Sequence, residues 1–249
     1  MTVYAVALSK GGSTKTTTAA EIAAALAARG RKVLAVDVDQ QGNYSRRLGL
    51  TDDTEVDAVA ADVLVGKAGA AEAAVASPSV PGVDVLAGTH DLTEIDHLPE
   101  VLVSLRDYLP MIAGEWDDVV IDTPPALGML TLAALAAADV IVAAVACETE
   151  AYDQLGRLDD VIAGRVAPRL RPGAQVHWIV PTRYDGRRLL DREVVAELEA
   201  THPGRVTTPI REAVAARDAY TAGLPVSLYL PGSGIASDYA AAMAQIITT

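Results

Sequence analysis

Short runs of apolar residues alternate with longer helix-type segments along the chain. The runs that predict strands cover residues 3–9, 32–38, 83–87, 116–122, 140–146, 175–180 and 206–210. Helices are predicted over residues 19–28, 54–66, 94–113, 127–138, 152–166, 211–220 and 237–247, with one more that opens at 187–192. Continuous apolar strands are typical of a parallel sheet buried on both faces. The alternation predicts an α/β fold: a doubly wound, mainly parallel sheet flanked by helices and joined by right-handed crossovers.

One apolar segment resembles a membrane span. Residues 127–147 carry a single charge, Asp139. Leucine and alanine dominate before this residue, whereas valine and isoleucine dominate after it. We therefore predict a helix, a break at Asp139 and a buried strand instead of a span. The terminal helix, residues 237–247, lacks Lys and Arg, so we expect no binding to an anionic membrane surface.

Length and cysteine content narrow the class of protein. A chain of 249 residues predicts one α/β domain over residues 1–249. Cys147 is the only cysteine, which excludes an internal disulfide and any cluster of several thiolates. The chain enters its first predicted strand at once, without the pattern of a secretory signal. These features predict a cytoplasmic protein.

Charge is distributed unevenly. The net charge is −13, yet the segment from Arg157 to Arg217 holds 11 arginines against 8 acidic residues. This asymmetry permits one basic face on an acidic protein. Arg187 and Arg188 lie where a predicted helix opens, so their side chains are candidates for such a face. Surface solubility is the alternative explanation for them.

The most informative stretch follows the first predicted strand. Glycines between a strand and a helix N-terminus let backbone N–H groups surround a phosphate. The strict pattern G-x-x-x-x-G-K-[ST] fails, because Ser9 and Thr14 replace its glycines, whereas K-G-G-x-x-K-[ST] fits. Lys15 is predicted to bind the β- and γ-phosphates, and the Thr16 hydroxyl to bind Mg²⁺. The alternative is a polar turn with solvated lysines. The phosphate-binding candidates are Lys10, Gly11, Gly12, Ser13, Thr14, Lys15, Thr16 and Thr17.

Two carboxylates follow later strands. Asp39 comes after the strand at 32–38, and Asp122 ends the strand at 116–122. Strand ends of this kind lie at the ligand-binding edge of α/β proteins. Asp39 is predicted to orient a water or to reach Mg²⁺ through water, and Asp122 to bind a Mg²⁺-coordinating water or to hold Thr16. Capping of the local turns is the alternative for Asp37 and Asp39.

Together these segments resemble a known family. Residues 10–17, 37–43 and 122–125 resemble the deviant Walker A, A′ and Walker B motifs of the ParA/MinD family of P-loop ATPases. Residues 181–185 and 223–226 resemble late segments of ParA-type partition ATPases, so the resemblance covers nearly the whole chain.

The resemblance implies ATP and Mg²⁺ as ligands, slow ATP hydrolysis and a homodimer that closes face to face across two nucleotides. It implies that Lys10 crosses to the partner's phosphates, and that Lys10, Lys15 and Asp39 take part in catalysis. The implied metal set is Thr16, Asp39 and Asp122. The implied adenine set is Thr182, Arg183, Pro209, Ile210 and Arg211.

For ParA members the resemblance further implies that the ATP-bound dimer binds DNA without sequence preference. A ParB-like centromere-binding partner then stimulates hydrolysis, which places the protein on the nucleoid. The implied DNA-binding residues are Arg187, Arg188, Arg211 and Arg217. Departures are Ala215 in place of a family arginine, Gln40 in place of proline, and Thr14 where many members have glycine. We also expect no N-terminal helix-turn-helix domain.

Two other functions remain open on the sequence. The first is a related ATPase that positions a protein cargo. The second is a small-molecule ligase or kinase of the same P-loop class, for which no second constellation of substrate-binding residues stands out.

Overall fold

The computed structural model of the protein describes residues 1–9 and 14–247. Its strands are β1 (Thr2–Ala7), β2 (Val33–Asp37), β3 (Val75–Ala76), β4 (Val83–Leu86), β5 (Asp118–Asp122), β6 (Val140–Ala146) and β7 (Val176–Thr182). Its α-helices are α1 (Lys15–Ala27), α2 (Asn43–Arg47), α3 (Ala60–Leu64), α4 (Ala70–Ala73), α5 (Leu92–Ile95), α6 (Val101–Tyr108), α7 (Met129–Ala137), α8 (Ala151–Val161), α9 (Leu189–Thr201), α10 (Ala215–Thr221), α11 (Val226–Tyr229) and α12 (Gly234–Ile246).

The strands form one sheet in the order β3-β4-β2-β5-β1-β6-β7. Neighbouring strands are parallel except β3, which pairs antiparallel with β4. Because β5 lies between β1 and β2, Asp122 is the register partner of both Val6 and Asp37. The carboxyl ends of these three strands therefore meet at one edge of the sheet, where α/β proteins bind ligands.

Apolar side chains cover both faces of this sheet. Successive residues of a strand point to opposite faces. Val3 and Ala5 of β1 accordingly belong to the cluster that includes residues of α6, α7 and α8. Tyr4 and Val6 belong to the other cluster, with residues of α1 and α12. The predicted doubly wound α/β fold is confirmed.

The apolar segment 127–147 forms α7 and β6, as predicted. Within the part of the chain that the structure describes, no helix has both the length and the apolar character to cross a bilayer. Asp139, which lies between the two elements, pairs with Arg171 at 2.5 Å. The break at this charge therefore faces a cation.

Three predicted helices differ substantially from the observed ones. The helix at 211–220 forms only as α10, because Arg211 bridges to Tyr184 instead. The continuous helix at 94–113 is wrong, because the segment forms α5, α6 and a 3₁₀ turn, Leu109–Ile112. Pro99 and Pro110 lack the amide hydrogen that a helix interior requires, and they lie at these breaks. The helix at 54–66 shrinks to α3, where the Asp62 side chain accepts a hydrogen bond from Val59 N (3.2 Å) and fixes the start.

The predicted strand at 206–210 is also wrong. Val206 makes only an isolated bridge to Ile179. Pro209 has no N–H, so a regular ladder cannot continue through it. β7 instead runs past its predicted end to Thr182, and Pro181 is tolerated there because β7 is the last strand of the sheet.

Candidate nucleotide-binding site

A cavity of about 870 Å³ opens at the carboxyl edge of the sheet. One side is formed by Thr14 to Thr17 and by Asp39 to Gln41. The other side is formed by Thr182, Arg183 and the segment 210–217. Segments far apart in sequence are therefore brought together around one space large enough for a nucleotide.

Helix α1 begins at Lys15, four residues before its predicted start, so that Lys15, Thr16 and Thr17 form its first turn. Unpaired backbone N–H groups and the helix dipole favour an anion at this end. Thr14 precedes the helix with φ of 67°, a left-handed conformation that is strained for a branched side chain. The turn that precedes α1 therefore places Thr14 in a backbone conformation that glycine adopts more readily.

Lys15 is only 6% exposed. Burial lowers the pKa of its ammonium group, while the nearby carboxylates of Asp122 and Asp39 act in the opposite direction. A bound phosphate would add negative charge beside the ammonium and favour its charged form. The position and the electrostatics suit the predicted phosphate role.

Thr16 and Asp122 form the centre of the predicted metal site. Thr16 Oγ1 donates a hydrogen bond to Asp122 Oδ2 at 2.7 Å. Asp122 is fully buried, and its Oδ1 has no hydrogen-bond partner among the described residues. Burial, and next the neighbouring Asp37, raise the pKa of Asp122 well above its ordinary range. A buried carboxylate oxygen without a partner fits a water of a hydrated cation.

This donor set fits Mg²⁺. Mg²⁺ retains several waters and is usually held by one or two carboxylates together with phosphate oxygens. Residues 1–9 and 14–247 contain no group of three His, Cys, Asp or Glu side chains arranged for a metal ion. The hydrated ion would be held by Thr16 and Asp122, together with Asp39, which lines the cavity.

Asp37 and Asp39 both accept hydrogen bonds from local backbone amides, but their surroundings differ. Asp37 accepts hydrogen bonds from Ser45 N (2.9 Å), Ser45 Oγ (2.8 Å) and Asp39 N (3.1 Å), and burial raises its pKa to about 6. Asp37 therefore holds the loop, as the capping alternative expected. Asp39 lines the cavity, where its Oδ1 accepts a hydrogen bond from Gln41 N at 3.0 Å.

The predicted adenine residues divide between two spaces. Thr182, Arg183, Ile210 and Arg211 line the main cavity. Pro209 lies instead on a neighbouring cavity of about 580 Å³. Ile210 N donates to Pro181 O at 2.8 Å, which fixes this loop against the end of β7.

Three of the predicted DNA-binding arginines pair with carboxylates. Arg187 contacts Asp185 at 2.8 Å, Arg188 contacts Glu212 at 3.0 Å, and Arg211 contacts Asp238 at 2.6 Å. Arg217, on α10, is exposed, and no ion pair is recorded for it among the described residues. The structure does not bring these four arginines together into one unpaired basic surface.

The predicted site and the observed cavity do not coincide completely. Lys10, Gly11, Gly12 and Ser13 lie outside the described residues. Three further residues line the cavity that the sequence analysis did not predict: Arg47, Tyr220 and Tyr239. Each is a single residue on a helix, and no motif marks it. The adjacent arginines at 46 and 47, just after the A′ segment, are the only signal in the sequence that could have directed attention there.

Comparisons with known proteins agree with this geometry. A family model described as an AAA domain matches residues 1–168. The chromosome partitioning protein ParA of Caulobacter vibrioides is 37% identical over 234 residues, which cover 91% of this chain and 86% of that protein. The cell division ATPase MinD of Pyrococcus furiosus is 25% identical, with a TM-score of 0.80 and coverage of 98% of both chains.

A cobyrinic acid a,c-diamide synthase from Mycobacterium smegmatis, solved with bound ADP and magnesium, is 33% identical. Its TM-score is 0.76, and the match covers 88% of this chain and 91% of that one. Since the family model covers residues 1–168 and the Caulobacter relative matches nearly the whole chain, this protein belongs to the ParA/MinD family of P-loop ATPases.

Proposed function

We propose that this protein is a DNA-partition ATPase. It binds ATP with Mg²⁺, forms a homodimer across two nucleotides, and binds DNA without sequence preference in that state. A ParB-like centromere-binding partner stimulates hydrolysis and thereby releases the protein from the nucleoid. The observation that carries the proposal is the convergence of Lys15, the Thr16–Asp122 hydrogen bond and Asp39 on one cavity.

Each residue of this cluster has a distinct role in the proposed reaction. Lys15 donates hydrogen bonds to the β- and γ-phosphates, and the first amides of α1 hold the same oxygens. The Thr16 hydroxyl, oriented by Asp122, is directed toward the metal position. Bound Mg²⁺ supplies positive charge against the phosphates. Asp39 accepts a hydrogen bond from the attacking water and holds it in line with the γ-phosphate.

Lys10 couples nucleotide binding to dimer formation in this proposal. Its position in the deviant Walker A motif supports a contact with the γ-phosphate held by the partner subunit. A cation supplied from the second subunit neutralises charge that develops during hydrolysis. Binding of ATP would then favour the dimer, and hydrolysis would weaken it.

The basic segment from residue 157 to 217 supports the DNA part of the proposal, because it carries a local excess of positive charge on an acidic chain. Arg217 is the leading DNA contact, since it is exposed on α10, where it also lines the cavity, and forms no ion pair with the described residues. To bind DNA, three further arginines would break their ion pairs with protein carboxylates and contact DNA phosphates instead: Arg187, Arg188 and Arg211. Exposed ion pairs contribute only about 0–1 kcal/mol, so this exchange is energetically accessible.

A second candidate function is amide ligation, favoured by the similarity to the M. smegmatis synthase. One observation weighs against a form that takes ammonia from glutamine. Such chemistry requires a reactive thiolate. Cys147 is the only cysteine, and burial raises its pKa to about 12. An ATPase that positions a protein cargo would share every residue of the phosphate site, and only its partner on the cargo would distinguish it.

The decisive experiment is retention of a non-specific DNA fragment at low salt with ATP, with ADP and without nucleotide. We expect retention with ATP alone, and a steep loss as salt rises, because phosphate contacts release counterions. Absence of ATP-dependent retention from a dimer that binds ATP would reject DNA partition.

A further inference from the structure

Arg47 is a buried arginine on the wall of the nucleotide cavity. It ends the short helix α2, and its side chain is 5% exposed. The guanidinium lies over the Tyr220 ring, 5.2 Å from its centre, and Nη2 donates to Ala216 O at 3.3 Å. Both contacts are made with α10, so Arg47 connects two walls of the cavity.

The remaining donors of Arg47 are unsatisfied. Nε and Nη1 are buried without a hydrogen-bond partner among the described residues. Glu21 belongs to the electrostatic surroundings of Arg47 but accepts its own hydrogen bond from Ser227 N at 3.2 Å. Burial lowers the pKa of the guanidinium. Unpaired buried donors on a charged group cost free energy, so a ligand that accepts from them would recover that cost.

The surroundings of Arg47 differ from those of the phosphate-binding turn. Tyr220, Tyr239 and Ile235 line the cavity in this part of the wall. Aromatic and apolar walls with a few polar groups are typical of sites for the flat and uncharged part of a ligand. Glu21 lies six residues after Lys15 on α1, roughly 9 Å further along the helix axis. Glu21 and Asp122 both belong to the electrostatic surroundings of Arg47, so Arg47 lies between the second turn of α1 and its phosphate end.

We propose that Arg47 binds the nucleoside part of the nucleotide, donating hydrogen bonds from Nε and Nη1 to acceptor atoms of the base or the ribose. This inference rests on the proposed ATP site and assigns to it a specificity-determining residue. Because neighbouring protein atoms cover both nitrogens, binding includes a change of rotamer at Arg47. The long side chain permits that change while its contact with α10 shifts.

The test compares Arg47→Met with Arg46→Met in equilibrium binding of ATP, ADP and inorganic tripolyphosphate. Arg46 is the matched control, because it is the adjacent residue but is exposed and pairs with Asp52 at the surface at 3.4 Å. We expect Arg47→Met to weaken ATP and ADP binding about tenfold or more, as loss of hydrogen bonds to a charged donor should, and to leave tripolyphosphate binding unchanged. Arg46→Met should match the wild type for all three.

Two results would overturn the proposal: wild-type ATP affinity in Arg47→Met, or an equal loss for ATP and tripolyphosphate. Thermal melting verifies that each variant is folded, and Arg47→Lys, which keeps a buried cation, is judged by the same criterion if the methionine variant does not fold. An additional measurement with 2′,3′-dideoxy-ATP separates the sources: an unchanged penalty assigns the contact to the base, and a vanishing one to the ribose. A wild-type protein that binds neither ATP nor tripolyphosphate would instead contradict the proposed function itself.

Discussion

The phosphate side of the cavity and the arginine-rich surface, which consists of the exposed Arg187, Arg188, Arg211 and Arg217, use charge in opposite ways. Around α1 the charged groups are buried, and the sheet register fixes where they lie: Asp122 is paired in register with Asp37 and hydrogen-bonded to Thr16. On the arginine-rich surface the charges are exposed, and three of the four arginines pair with nearby carboxylates, as Arg187 does with Asp185. Buried charges without full compensation indicate a site prepared for a ligand, whereas exposed paired charges are equally consistent with solubility.

Removal of Lys15 should produce the largest effect. Lys15→Ala takes away the buried cation and leaves Asp39 and Asp122 to repel the phosphates. We expect the dissociation constant for ATP to rise at least about a hundredfold, measured by isothermal titration calorimetry. Lys67→Ala is the control, because Lys67 is exposed far from the cavity lining. Near-normal ATP affinity in Lys15→Ala would show that the buried charges around α1 are not prepared for a ligand.

Asp39→Ala tests whether the Asp39 carboxylate takes part in ATP hydrolysis or only in ATP binding. We expect ATP binding and ATP-dependent dimers to persist while hydrolysis falls about a hundredfold, the usual contribution of a positioned base. Single-turnover phosphate release measures the chemical step. Asp53→Ala, at an exposed loop position, is the matched control. Wild-type turnover in Asp39→Ala would exclude Asp39 from the mechanism.

The smallest effect is expected on the arginine-rich surface. Arg217→Ala should lower the slope of log affinity for DNA against log salt by about one, as loss of one phosphate contact does. Arg187→Ala should change it less, because Arg187 must first leave Asp185. The measurement is DNA retention with ATP over a series of salt concentrations. Equal slopes for both variants and the wild type would indicate that this surface is not the DNA interface.

Local sequence was sufficient for most of the sheet and for the phosphate side of the site. Residues 140–146, predicted as a strand, form β6 with the same bounds. A glycine-containing loop before a helix predicts an anion site, and Lys15 and Thr16, which follow that loop, line the cavity. The prediction of a helix at 94–113 is wrong because its apolar periodicity continues across Pro99 and Pro110, which interrupt helical hydrogen bonding. The prediction of a strand at 206–210 is wrong because residues with high β-propensity form a strand only where a neighbouring strand pairs with them, and here only Val206 forms a bridge, to Ile179.

The sequence by itself determined the alternation of strands and helices, the turn that leads into α1, and the positions of Asp39 and Asp122 at the carboxyl edge of the sheet. Each depends on residues close together in the chain, whose backbone preferences act locally. Only the tertiary structure decided that Arg47 lies in the cavity wall with unpaired donors, and that Arg187 and Arg211 pair with carboxylates while Arg217 is exposed. Burial and charge pairing depend on which distant segments the sheet order brings together, and no local pattern encodes that information.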